Sequence, residues 1–385
     1  MGNMKHIKNL LSRLSLPELP DLTITLASLY ASTNFSPTGI INDGDTLEWT
    51  VSGGITDYAL ADDPTFDFTG NTGTADILIE HVNDLKSIGF TGVYQLTTID
   101  ITEATNLEVF RLDYGVITTI NLDNNTKLTD FISLNSDFTT LDFSNNTLIE
   151  YISLGGIGDL TTLTLPSTAP LYYLSINNAP LVNSGTIDIS NFTTLTTLNL
   201  QQSAISTLTG LGNNTLLEGL FVSFCELTTL DLSLNTALTN FSYTNNTELT
   251  TLDLSNNTLL TSVNLENAFN LATLDVTGLS VITYLQLTST DLSTLDVTDC
   301  VALQTLYVAN NLSLVGFDIS TCVDLKYFNC RGCNFSASET DQVYIDLDNN
   351  GVTLGQLNID NNRTSASDTA RANLVTKSWS ITEWA

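Results

Sequence analysis

Along most of the chain a short pattern of apolar and polar positions returns at nearly constant intervals. Its clearest copy is Leu249-Thr250-Thr251-Leu252-Asp253-Leu254-Ser255-Asn256-Asn257, which reads Leu-x-x-Leu-x-Leu-x-x-Asn. Equivalents of Asp253 stand at Asp100, Asn121, Asp142, Thr164, Asp188, Thr209, Asp231, Asp275, Asp296 and Asp318, in steps of 21 or 22 residues with one of 24. A looser series lies about half a step further on, through Arg111, Ser133, Ser153, Ser175, Asn199, Phe221, Ser242, Asn264, Gln286, Tyr307 and Asn329. Leu252 and Leu254 are two apart, so in a strand they point to one side while Thr251, Asp253 and Ser255 point to the other. The pattern therefore predicts two short strands per turn, with the leucines inward. No single turn can bury its leucines alone, so the turns must stack.

The ninth position of the pattern predicts how the corners are built. Asn125, Asn146, Asn213, Asn235 and Asn257 occupy it in the first series, followed by Cys300 and Cys322; Asn246, Asn311, Cys225 and Cys333 occupy it in the second. A stacked amide satisfies backbone groups buried at a tight corner, and a small thiol fills the same slot. This reading takes up most of the cysteines and implies no disulfide framework. Cys330-Arg331-Gly332-Cys333 has the spacing of a redox motif, but it falls on a strand and corner and not at a helix start.

Outside the repeats the rhythm changes, which divides the chain into residues 1–20, 21–95, 96–335 and 336–385. The first segment places Ile7, Leu10, Leu11 and Leu14 on one helical face, with Lys5, Lys8 and Arg13 beside them and Pro17 and Pro20 ending the helix. It reads as an anchoring peptide that docks into a larger assembly; a frayed tail and a membrane-surface helix are the alternatives. Charge interrupts its apolar run, so it does not read as a secretory signal, and no transmembrane run is present. Residues 21–95 hold short alternating strands around Leu22–Leu26, Thr46–Val51 and Ala75–Ile79, predicting a β module that caps the first turn. After Cys333 the sequence predicts a short helix from Ser338 to Tyr344 with Ser338 as its cap, a last strand around Asn358, a helix from Ser367 to Thr376, and a closing segment from Trp379 to Trp384.

Leu249–Asn257 and its copies resemble bacterial-type leucine-rich-repeat proteins. The tail, with Asp346-Leu347-Asp348-Asn349-Asn350-Gly351 and Ser365–Leu374 before Lys377-Ser378-Trp379, resembles the C-terminal closures of repeat proteins from Bacteroidetes-type bacteria and their phages. The resemblance implies a mainly β leucine-rich-repeat solenoid of about eleven to twelve turns, with an N-terminal β cap and a C-terminal α/β cap. It also implies a recognition, adhesion or structural role, and it leaves the ligand open.

Charge and side-chain chemistry narrow the function. The formal charge is −31, and between Lys127 and Lys326 there is no lysine or arginine, which excludes nucleic acid as a partner along the repeats. The two outward faces differ. One repeats threonine and aspartate, as in Thr229, Thr251, Thr273 and Thr294 beside Asp231, Asp253, Asp275 and Asp296. The other varies, showing Arg111, Tyr151, Tyr173, Asn199, Phe221, Asn264, Tyr284, Gln286, Tyr307, Lys326, Tyr327, Asn329 and Arg331. Uniformity points to structure and variety to ligand binding. Tyr284, Tyr307 and Tyr327 come from successive turns, so their rings are expected within about 5–10 Å of one another. With neighbouring amides and guanidinium they suit a host glycan or protein.

Two cation sites are conceivable from sequence. One is the aspartate column bridged by divalent ions; the other is Ca2+ at Asp346, Asp348 and Asn350, which match the start of a calcium loop although its twelfth position is Leu357. Solvation with flanking hydroxyls is the competing reading for the aspartate column, and a plain turn for Asp346, Asp348 and Asn350. The chain is expected to be non-catalytic, because a stack without histidine offers no acid-base centre that sequence reveals. The sequence as a whole is read as a virion appendage or capsid or tail decoration on the virion surface, docking through its N-terminus. A bacterial cell-surface or extracellular adhesin is the alternative, followed by an ice- or cation-binding surface.

Overall fold

The computed structural model describes residues 96–180 and 182–384 throughout, Val82 and residues 85–91, and the backbone of seven short strands between residues 21 and 80. The anchoring segment, with Lys5, Ile7, Lys8, Leu10, Leu11, Arg13 and Leu14, lies outside the described residues, as do His6 and His81. The protein is a mainly β leucine-rich-repeat solenoid with a C-terminal helical cap. It divides into two compact units. The first ends at Ile149 and includes residues 164–166; the second comprises residues 150–163 and 167–385.

In the first unit, Asp21–Leu26 pairs antiparallel with Ala75–Glu80 on one side and with Leu96–Asp100 on the other. The small β module is thus hydrogen-bonded onto the first repeat strand, which covers an edge that would otherwise template another chain. Leu85–Thr91, Val109–Asp113 and Asp130–Leu134 form a parallel ladder, and Pro37–Asn42 runs antiparallel along Leu85–Thr91. Repeat-like pairing therefore already begins within residues 21–95. Phe110 stacks on Phe131 with ring centroids 5.3 Å apart, and Phe143 meets Phe131 edge-on at 5.0 Å. This ring column fixes the register: Phe110 pairs with Phe131, so Arg111 pairs with Ile132. Ser133, expected in the outward column with Arg111, instead faces inward and is fully buried.

In the second unit the looser series makes the continuous sheet. Eleven strands follow one another in parallel register: Tyr151–Gly155, Tyr173–Asn177, Thr197–Asn199, Gly219–Phe221, Asn240–Ser242, Ser262–Asn264, Tyr284–Gln286, Thr305–Tyr307, Tyr327–Asn329, Gln356–Asp360 and Ser380–Trp384. The more regular leucine series pairs only locally here, as Thr186–Asp188 with Thr207–Thr209 and Thr251–Asp253 with Thr273–Asp275. Between these pairs a short 3-10 turn at Leu211–Asn213, entered by Gly210 at φ 86°, takes up one extra residue. A Cβ at Gly210 would lie 2.3 Å from the Ser190 backbone, so only glycine lets the two turns approach there. Inward leucines are buried as the pattern requires, Leu252 at 4% exposure and Leu254 at 0%.

Corners are held by the asparagine column. Asn235 Nδ2 donates to the carbonyls of Leu211 and Asn214, each at 2.9 Å. Asn257 does the same to Leu232 and Asn235, and Asn146 to Leu122 and Asn125. The extra residue at the 3-10 turn moves this role from Asn213 to Asn214, whose Nδ2 donates to Phe192 O at 2.7 Å; Asn213 is exposed. Cys300 and Cys322 continue the column with their thiols facing Val276 O and Val297 O. On the opposite corner Cys225, Asn246, Asn311 and Cys333 are joined by hydroxyls that the sequence pattern does not single out, Ser136, Ser203 and Thr290.

The C-terminal cap is more helical than the sequence suggests. Helix α1 spans Ala337–Asn350, and its cap is Ser336 and not Ser338. Ser336 and Glu339 form a reciprocal box in which each side chain accepts the other's backbone N–H. Glu339 also accepts from Gly316 N at 3.0 Å, tying the helix to a repeat corner. Helix α2 spans Asp368–Thr376, and Arg371 makes a two-point ion pair with Glu383 on the last strand.

Candidate functional site

The candidate site is the outward face of the eleven-stranded sheet. Each strand but the last buries its central residue, and each carries one residue on either side of it, as in Tyr284-Leu285-Gln286. These flanking positions form two columns. One begins Tyr151, Tyr173, Thr197 and ends Tyr284, Thr305, Tyr327, Gln356, Ser380; the other begins Ser153, Ser175, Asn199 and ends Gln286, Tyr307, Asn329, Asn358, Thr382.

Two aromatic clusters stand on this face. Tyr151 and Tyr173 are register partners and stack with centroids 4.3 Å apart and an interplanar angle of 9°. Tyr172, absent from the sequence-derived set, tilts against Tyr151 at 6.1 Å and is 42% exposed. Its only sequence signal is adjacency to Tyr173, obscured because it sits just before the strand. Burial and the neighbouring Tyr173 raise the Tyr151 hydroxyl above its usual range. In the second cluster, Tyr284 and Tyr307 meet edge-on at 6.1 Å. Tyr327 stands at the outer end of the expected range from Tyr284. It shares a column with Tyr284, but Thr305 lies between them, placing them two strand spacings apart, roughly 9–10 Å.

The remaining predicted residues are distributed along the fold. Phe221 is half-buried, its ring leaning over Gly219, where a Cβ would come within 3.1 Å. Lys326 is exposed just before Tyr327, and Asn329 accepts from Arg331 N. The Arg331 guanidinium lies 3.9 Å from the Trp384 ring centroid, a cation–π contact within the cap. Arg111 belongs to the first unit. Its Nε and Nη2 donate to Asp113 Oδ2 at 2.8 and 2.6 Å, and Asp113 is only 4% exposed.

The aspartate column has a local explanation. Oδ1 of Asp253 accepts from both Ser255 N and its hydroxyl, and Asp188, Asp275 and Asp296 repeat that geometry with the hydroxyl residue two further on. The hydroxyl and then the N–H hold the carboxyls of Asp188, Asp231, Asp253, Asp296 and Asp318 below the usual carboxylate range. Like charges on neighbouring turns are thus each offset by a turn they close. Among the described residues no three His, Cys, Asp or Glu side chains come together as a metal-holding group.

Asp346, Asp348 and Asn350 lie in helix α1 and not in a calcium loop, and their side chains diverge. Asp346 is buried, which raises its carboxyl, and accepts from Gln342 at 2.7 Å. Asp348 pairs with Lys377 at 2.6 Å, whereas the Asn350 amide donates to Ile319 O and Cys322 O. The helical period separates alternate residues by about 200°, so a spacing that converges in a loop cannot do so here. The five cysteines are all free thiols. Burial pushes Cys225 and Cys322 up to about 11 and Cys300 and Cys333 to about 12, the opposite of a reactive centre.

No protein-family model and no curated protein matches the chain. Among solved structures it is similar to the functional domain of InlJ from Listeria monocytogenes, described as including a cysteine ladder. The identity is 25% and the TM-score 0.58, over 76% of this chain and 63% of that one, so this chain spans less than two thirds of that structure's length. An internalin, InlF, of the same organism is 18% identical with a TM-score of 0.46, over 66% of this chain and 83% of its own. A leucine-rich-repeat protein of Leptospira interrogans is 13% identical with a TM-score of 0.49, over 78% and 91%. The likeness to the InlJ domain and the stacked geometry together support a leucine-rich-repeat fold for this chain.

Proposed function

We propose that the chain is a non-catalytic recognition protein, displayed outside the cell, that binds a glycan or protein through the varied face of its second unit. The observation that carries this reading is the contrast between two faces built on one scaffold. On the leucine-rich face the outward aspartates are used up in closing their own turns. On the other face outward residues change from strand to strand and gather into tyrosine clusters. Aromatic groups held on a rigid sheet bring large contact area at little entropic cost on binding.

Two settings for display have separate support. The basic, amphipathic sequence of residues 4–16 supports docking into a virion as an appendage or decoration. The likeness to the Listeria InlJ domain supports a bacterial cell surface. In the test of binding, the double variant Tyr284→Ala, Tyr307→Ala loses adhesion to ligand-bearing cells and keeps its melting temperature; retained adhesion refutes the assignment. For the virion setting, deleting residues 1–20 abolishes incorporation into the particle, and unchanged incorporation refutes docking through that segment.

A further inference from the structure

The sheet face has a property that its turn chemistry does not demand. Across the eleven strands of the second unit, none of the twenty-two outward positions flanking the central residues is Asp, Glu, Lys or Arg. This holds in a chain of net charge −31. Closing a turn requires only an oxygen that accepts the N–H two residues on. Aspartate supplies it on the leucine-rich face, whereas Asn199, Asn264, Gln286 and Asn329 supply it here. The same structural task is thus done by a charged group on one face and by neutral amides on the other, so the neutrality belongs to these flanking positions, which Glu266, Lys326 and Arg331 border. Anchoring the amide oxygen also fixes each side chain, and its NH2 group makes no hydrogen bond within the described residues.

We infer that the ligand of this face is an uncharged, extended glycan that crosses the strands, its sugar rings packed against the Tyr151–Tyr173 and Tyr284–Tyr307 clusters; this rests on the recognition role proposed above. Three features select that class. An anionic chain would approach a protein of net charge −31 that has no lysine or arginine between positions 128 and 325 to attract it. A protein partner would need an apolar centre, and the outward positions hold no aliphatic side chain, Phe221 being their one residue that is apolar throughout. A glycan instead offers hydroxyls to the fixed amides and C–H faces to the tyrosine rings. Strand spacing of about 4.8 Å also resembles the advance of one pyranose unit in an extended chain. From Tyr173 to Tyr284 there are five such spacings, roughly 24 Å, so a long chain reaches both clusters and a short oligosaccharide only one.

The test is affinity electrophoresis of the full chain through gels containing neutral mannan, xylan or laminarin, or anionic polygalacturonate or hyaluronate, at low and high salt. Expected is retardation by at least one neutral polysaccharide, equal at both salt concentrations, and weakened about tenfold by Tyr173→Ala or by Tyr307→Ala in proteins that keep their melting temperature. Oligosaccharides cut from the retarding polymer should lose affinity once too short to span both clusters. Retardation by anionic polymers alone, or by none, overturns the neutral-glycan assignment. If the tyrosine variants then still lose adhesion to cells, the recognition face stands with another class of ligand. If adhesion too is unchanged in these variants, the recognition role falls with it.

Discussion

At the scale of single residues, the buried asparagines show why this sequence folds in one register. Asn235 has no exposed surface and bridges two carbonyls of the preceding turn. Asn235→Ala strands both acceptors, so a loss of about 1–3 kcal/mol is expected. Asn235→Cys should cost less, since Cys300 and Cys322 already stand in this column. Urea unfolding midpoints of the two variants check the order. Such residues are legible because an amide that returns every 21 or 22 positions, always behind the same leucines, marks a stacked corner. Asn214 is not, because the 3-10 turn that displaces it leaves an asparagine at 213 that fits the spacing equally well. Tyr172 escapes for a related reason, since sequence spacing identifies strand positions and this ring stands just outside one.

For whole elements, legibility follows length. The three-residue strands of the continuous sheet are too short to display a period of two, and they are defined by their neighbours on adjacent turns. For that reason the looser series, which forms the continuous sheet, is the harder of the two to recognise in the sequence. Helix α1 reads short because its acidic C-terminal half matches a calcium loop, a match that ignores burial of Asp346 and the Asp348–Lys377 pair. Ser336→Ala should cost about 1 kcal/mol by removing the side chain that accepts Glu339 N, while Ser338→Ala stays within about 0.5 kcal/mol. Thermal melts of the two variants distinguish the caps.

Across the molecule, acidity sets how stability responds to solution conditions. The turn-closing carboxyls of Asp188, Asp231, Asp253, Asp296 and Asp318 titrate lower when folded than their unfolded value of about 3.9. Their contribution is therefore present above about pH 4 and is lost as pH falls through the folded values. Melting temperature should drop steeply below that point, and Asp253→Asn, which keeps the accepting oxygen, should flatten the drop. At neutral pH added salt should raise the melting temperature by screening a net charge of −31. A pH series with and without salt separates the two effects.

The one-to-one pairing of successive strands makes this chain a counter as well as a scaffold. Each further period of 21 or 22 residues adds one rung and moves the tyrosine pairs apart by that rung alone, without touching either pair. Gene duplications of a single repeat between Phe221 and Tyr284 would then retune the molecule to a different length of polymer, as adding a link lengthens a caliper while leaving its jaws unchanged.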